Sequence, residues 1–272
     1  MTGWNLDPFR MRQRTGWTPE RVTYVQLIAL AAPVAVSLVE RGLPQIVVLL
    51  AAAVTCLIWE MVFDLIRGRS LGWHTATVAL VFAILVPASI PIWQIVVAVS
   101  LGVVFGELVF GGRGYGIVSG AAAAAGFLMF SFTGTELYVP SGVMALATLP
   151  GLALLLAGGL VSWRALVSVT VVLVIAGLMR DGASSLLSVS VTVVFGLVFL
   201  IGDPVAGAST NLGRWVFGAL AGVLIVLFDT AAGPAITPAA VVFASLLASL
   251  FAPLIDHMAV ALIVRRRRLR HG

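Results

Sequence analysis

The sequence predicts an all-α integral membrane protein, with about ten transmembrane helices in two inverted five-helix repeats. Three observations carry this. First, 61% of the 272 residues are hydrophobic and 10% are charged, with a mean hydropathy of +1.12, which leaves too little polar surface to wrap a soluble core. Second, apolar runs recur from about residue 24 to 264, each near the roughly 17–25 residues that a helix needs to cross about 30 Å of hydrocarbon. They are rich in Leu, Ala and Val without period-two alternation, which fits helices and not a barrel of strands. Third, each half contains an unusually short apolar run stopped by Gly or Pro: "VFAILVPASIPIW" (81–93) and "VFGLVFLIGDPVAG" (194–207).

The predicted spans are approximately 24–39, 43–63, 75–90, 92–110, 116–132, 144–161, 164–180, 185–201, 213–229 and 237–263. Five helices per half is an odd number, so the second half enters the membrane from the opposite side and the repeats are inverted. Repeat one covers about 24–132 and repeat two about 144–263, together a single membrane domain over 24–264. Residues 1–23 form a polar, basic, uncleaved N-terminal arm, and 265–272 form a basic tail.

All sixteen basic residues are Arg. They sit between or beyond the apolar runs, where membrane topology explains them better than a nucleic-acid patch does, so the expected partner is the bilayer and not nucleic acid. Placing the tail (Arg265 to Arg268, Arg270) in the cytoplasm also puts Arg10, Arg12, Arg14, Arg67, Arg69, Arg113, Arg164 and Arg214 there; Arg41 and Arg180 stand against the rule. Both termini are therefore expected in the cytoplasm. Cys56 is the only cysteine, so neither an internal disulfide nor a thiol metal cluster forms. His74 and His257 have no ligand-spaced partner, and no Ser-His-Asp or Cys-His arrangement is readable, so no catalytic or metal residues are assigned.

Four features carry polar chemistry. The stretch "IGDPVAGASTNLGRW" places Asp203, Ser209, Thr210 and Asn211 at a cytoplasmic helix end, with Arg214 as a partner for Asp203. Such groups cap the next helix, or hold the polar edge of a ligand between the repeats. "ELVFGGRGYGIVSGAAAAAG" (107–126) is no Walker loop; its Gly111 and Gly112 permit a tight turn or close ligand approach, and its alanines permit close helix packing, as does the run from Gly218 to Gly222. The acids Glu60, Asp64, Glu107 and Asp256 lie in or at the edges of spans, either on ion or proton paths or simply near water. Pro87 and Pro91 either end a helix or mark a broken one near a site.

Together "FGELVFGGRGYG", "GDPVAGASTNLGRWVFGALAGVLIVLF" and "LLASLFAPLIDHMAVALIVRRRRLRHG" resemble the NqrB/RnfD family, the membrane subunits of sodium-pumping quinone reductase and of the Rnf electron-transport complex. The likeness covers roughly residues 70–272. It implies a ten-helix, five-plus-five inverted fold, in agreement with the spans above, in a bacterial inner membrane. It also implies an electron-relay role within a multisubunit redox complex, with other subunits and quinone as partners.

The family carries FMN joined through its phosphate to a Thr between helices five and six, and can hold a second flavin, riboflavin or another, without a covalent bond. Thr148 echoes the acceptor position, while Gly111, Gly112, Asp203, Thr210, Asn211 and Arg214 fall on segments that would edge the noncovalent flavin. Two departures stand out. The helix five–six segment "TGTELYVPSGVMALATLP" lacks the upstream Asp and Ser/Thr-Gly of the attachment pattern. Gly116 and Ser119-Gly120-Ala121 replace the family's Asn and Asn-Pro-Ala. With the short arm and short helix five–six loop, these suggest a pared-down relative. The competing readings are a solute or ion transporter of inverted-repeat fold and a flavin-less scaffold for redox partners.

Overall fold

The computed structural model describes residues 19–68, 72–112, 114–132, 134–180, 193–229 and 236–271, the side chains of Pro19, Arg180 and residues 266–271 excepted. Among them every regular element is a helix. In order these are α1 (Pro19–Arg41), α2 (Leu43–Arg67), α3 (Ala76–Leu85), α4 (Ile92–Val103), α5 (Gly120–Ser131), α6 (Gly142–Ala157) and α7 (Trp163–Arg180). A helical segment over 193–201 follows, and then α8 (Asn211–Phe228) and α9 (Pro238–His271). The wider π winding appears twice, over Val104–Leu108 at the end of α4 and over Leu197–Ile201 at the end of the 193–201 segment.

Several boundaries differ from expectation. Helix α1 begins at Pro19, inside the predicted arm, because Pro suits a first helical turn and Glu20 offsets the positive end of the helix dipole. The rest of the arm, residues 1–18, lies outside the described residues, as do Arg69, Arg113, Thr133 and residues 185–192 of the predicted eighth span. The third span ends at Leu85 instead of residue 90, since Val86 precedes Pro87 and turns extended. Its ten residues rise only about 15 Å, half a bilayer core. The basic tail continues α9 as helix to His271. Gly42 makes the one-residue joint between α1 and α2 with a positive φ of 65°, which glycine adopts readily.

Among the described residues four helical stretches are long and apolar enough to cross a membrane: Glu20–Arg41, Leu43–Arg67, Asn211–Phe228 and Pro238–Arg265. The other apolar helical stretches, Ala76–Leu85, Ile92–Leu108, Gly120–Ser131, Gly142–Ala157 and Trp163–Met179, are 10–17 residues long. Packing follows a simple order. Helix α1 lies on α6 and α3, α2 on α3 and α4, and α4 on α5. Helix α7 lies on α8, α8 on α9, and α9 returns to α5. Small residues set these approaches. A Cβ at Gly218 would stand 2.3 Å from the Ala165 carbonyl oxygen, and one at Gly151 would stand 2.4 Å from that of Ala29. Ala121, Ala122, Ala124 and Ala125 are buried, while Phe130, Ile28, Leu50 and Met179 face outward. Small residues between helices and large apolar ones outside are the pattern for helices packing in lipid.

Candidate functional site

The two π turns bring the polar residues together. The second of them ends at Gly202, whose N–H donates to the Leu197 carbonyl at 2.8 Å, and the chain leaves the helix at Asp203. The Asp203 carboxylate accepts from the Val205 N–H at 2.9 Å, a local turn that fixes the Asp-Pro-Val corner. Seven residues on, Thr210 caps α8: its hydroxyl accepts from the Gly213 N–H at 3.0 Å and donates to Asp256 at 2.6 Å. Asp256 on α9 also accepts from the N–H and hydroxyl of Ser209, both at 2.7 Å, and from the Thr210 N–H at 3.0 Å. A negative group at the start of α8 matches the helix dipole there. Gly213 is required for this clasp, because a Cβ would lie 2.4 Å from both Asp256 Oδ1 and Thr210 Oγ1.

The remaining expected residues divide. Asn211 accepts from Arg164 Nη1 at 3.1 Å. The Arg214 Nε donates to the Ala208 carbonyl at 3.3 Å, and Asp203 is held by Val205, so the expected Asp203–Arg214 pair is replaced by local partners. Both still line one cleft of about 40 Å³ with Leu160, Ser162, Pro204 and Phe217. Asp203 also lines a second, smaller cavity of about 20 Å³ between the two halves, with Gln26 from α1, Thr77 from α3, Glu107 from the first π turn and Ser119 before α5. Glu107 is 7% exposed.

Gly111 and Gly112 are not brought to the Asp203 cleft. They turn the chain with φ of 126° and 91°, Gly112 donating back to the Glu107 carbonyl, and what reaches the inter-half cavity is Glu107 itself. Thr148 lies within α6 and not in the preceding loop; its hydroxyl is fully buried and donates to the Ala145 carbonyl at 2.6 Å. Of the other acids, Glu60 accepts from the N–H groups of His74 and Thr75 and from the Thr75 hydroxyl, and Asp64 accepts from the Gly72 N–H. These two tie the 72–75 loop to α2. Among the described residues no three His, Cys, Asp or Glu side chains are grouped for a metal ion.

The other break, after α3, has a different lining. Arg41, one of the two exceptions to the charge rule, donates to the carbonyls of Ile84 (2.6 Å), Val86 (2.8 Å) and Ala83 (3.4 Å) and to Gln45 Oε1 (3.1 Å). Gln45 Nε2 donates to Ala83 O at 2.6 Å. The Tyr138 ring lies 3.7 Å from the guanidinium carbon, and the Tyr138 hydroxyl donates to Glu40 at 2.7 Å. The sequence signals for this cluster are the departure of Arg41 from the charge rule and its pairing with Glu40 at the end of α1.

Comparison with known proteins bears on what this arrangement serves. The model of the NQR2, RnfD, RnfE family matches residues 11–140 and 134–264. The chain belongs to this family. The match reaches back to residue 11, well before the residue 70 at which the resemblance was expected to begin. This family member is similar to the B subunit of the Na(+)-translocating NADH-quinone reductase of Pseudomonas paraeruginosa (strain DSM 24068 / PA7), with 29% identity over 269 residues, 79% of this chain and 66% of the relative. The protein of the same description from Haemophilus influenzae (strain PittEE) is 27% identical over 79% of this chain and 66% of its own length. That of Yersinia pestis is 26% identical over 78% of this chain and 65% of its own. The NQR2, RnfD, RnfE chain described here thus spans about two thirds of the length of these relatives, and it is a multi-pass membrane protein.

Proposed function

We propose that this chain is a membrane component of a multisubunit redox complex in a bacterial inner membrane, with both termini cytoplasmic. The observation that carries the reading is the family match across both halves, and the relatives' description as the B subunit of a Na(+)-translocating NADH-quinone reductase supports it. In this reading the membrane domain is two inverted five-helix repeats, divided near residues 132–144. The packing order supports the inversion: α2–α4–α5 in the first half is matched by α7–α8–α9 in the second, while α1 meets α6 and α5 meets α9. The break at Asp203 shares a cavity with Thr77 at the start of α3, and the other break lies at the far end of that helix, the opposed placement that inverted repeats require.

Flavin is the cofactor that the family implies, and neither of the two places expected to hold it in this chain is shaped for it. The Thr148 hydroxyl is buried and bonded within its own helix, and the Asp203–Arg214 cleft of about 40 Å³ is far below the roughly 300–1,000 Å³ of a pocket that buries a ligand of that size. The chain therefore serves as a membrane platform, with flavin and quinone held by or against its partner subunits. The test is the flavin content of the purified chain and of its native complex. The expected result is no flavin fluorescence from the denatured chain, the same for Thr148→Ala, and flavin in the complex alone. Stoichiometric flavin released by acid from the isolated chain would overturn the platform reading in favour of an electron relay through the Asp203–Arg214 region. Failure of the tagged chain to bring redox subunits out of native membranes would sink both.

A second reading, cation passage, is favoured by the cavity between the halves, where two carboxylates, Glu107 and Asp203, meet an amide and two hydroxyls around room for a single small occupant. It predicts sodium flux in liposomes containing the chain. Flux that survives Asp203→Asn would remove it.

A further inference from the structure

The lining of the α3 break carries an inference independent of the redox reading. Helix α3 rises only about 15 Å, half the thickness of a bilayer core, and its last residues are buried, which leaves the negative end of its dipole and its last carbonyls without helical partners inside the bundle. In a broken membrane helix such an end is a place where a cation binds. Here the carbonyl oxygens of Ala83, Ile84 and Val86 and the Gln45 amide oxygen all lie 2.6–3.4 Å from guanidinium nitrogens of Arg41. The face of Tyr138 closes a further side. Gln45 is fully buried, and Glu40 adds a carboxylate that is bonded to Tyr138 and Ser141.

We propose that the end of α3 is a site for a monovalent cation, filled by Arg41 as a cation tethered to the chain. The oxygen set is the hard, neutral kind that suits an alkali ion, and the guanidinium takes its place. Two consequences follow. A free ion cannot enter the membrane at this break while Arg41 is seated, so any ion route through the protein is confined to the other break. Removal of the positive charge, with the carbonyls left in place, converts a filled site into a vacant one.

The experiment is thermal unfolding of the full-length purified protein in sodium, potassium or choline chloride at equal ionic strength, for the wild type, Arg41→Ala, Arg41→Gln and Arg41→Lys. The wild type and Arg41→Lys, which keep a tethered cation, are expected to melt at the same temperature in all three salts. The two neutral variants are expected to melt lower in choline and to recover with a saturable dependence on sodium or potassium, by several degrees. If a neutral variant folds only when an alkali salt is present, the proposal is likewise supported. Neutral variants that melt alike in all three salts, or that fail to fold in every salt, would overturn it, leaving Arg41 as an ordinary helix cap that no free ion replaces.

Discussion

The two breaks in the bundle solve one physical problem with opposite charges. Where α3 ends, the exposed groups are carbonyls, and an arginine from α1 meets them. Where α8 begins, the exposed groups are N–H donors, and an aspartate from α9 meets them. Each charged group is thus matched to the sign of a helix end. The difference lies in what remains. At the α3 break the nearby polar side chains are bonded to one another, whereas beyond the α8 clasp Asp203, Arg214 and Glu107 line small cavities. A polar residue that secures a helix end and a polar residue that faces a cavity look the same in sequence, and only their partners separate them.

The strongest test of the comparison is to remove the clasp. Asp256→Ala leaves two N–H groups and two hydroxyls of Ser209 and Thr210 without their acceptor. Hydrogen bonds to a charged group contribute about 1.5–3 kcal/mol each in favourable cases, and these are partly redundant. A loss of about 3 kcal/mol is expected, seen as a fall in melting temperature of roughly 6–12 °C. Gly213→Ala is expected to do comparable damage by pushing a methyl group into the same carboxylate. If Asp256→Ala melts within a degree or two of wild type, the clasp is not what holds the start of α8.

Next comes the contact between α7 and α8. Gly218→Leu places a side chain where the Ala165 carbonyl already sits, so the helices must part, at a cost of about 1–3 kcal/mol. The melting temperature reads this directly. Val223→Leu, an outward-facing control on the same helix, should leave it unchanged.

How much of this is readable in advance follows from the range of each interaction. The membrane class, the Ala and Gly packing surfaces and the broken third helix depend on local composition and on Pro87, and all are legible. The pairing of Thr210 with Asp256 is not, although each residue stands out, because they lie 46 positions apart and nothing in a single sequence states which helix faces which. Arg41 misleads for a related reason. A charge rule treats Arg as marking a membrane face, but this one is bonded to carbonyls more than forty residues away. Thr148 shows the converse: the resemblance points to an attachment position between helices five and six, but Thr148 already falls within the predicted span 144–161, and Ser141, whose hydroxyl caps α6 by accepting from the Met144 N–H, starts the helix seven residues earlier.

A smaller effect is expected at the α3 break from Tyr138→Phe, which removes the hydrogen bond to Glu40 and costs about 1 kcal/mol. It also carries a pH signature. Burial, and then the bond to Glu40, holds the Tyr138 phenol above its ordinary range. A raised value means that its stabilisation is complete while the phenol is protonated and is lost as pH rises through the folded value. The wild type should therefore lose stability on the alkaline side more steeply than the Phe variant. Parallel alkaline limbs in the two proteins would show that Tyr138 is not coupled to Glu40.

The smallest change in stability is expected from Asp203→Asn, and this is what makes it informative. Among the described residues the one bond to its carboxylate is the short turn to Val205, and an asparagine side-chain oxygen accepts the same bond. A shift within about 0.5 kcal/mol is therefore expected, in contrast to the large loss at Asp256. Any change in sodium flux, or in the activity of the complex, then belongs to the charge that Asp203 presents to the two cavities and not to a weakened fold. If Asp203→Asn instead destabilises the protein as much as Asp256→Ala does, the second break is secured by both carboxylates, and the distinction between a clasp and a cavity-lining group fails at the residue on which the site reading rests.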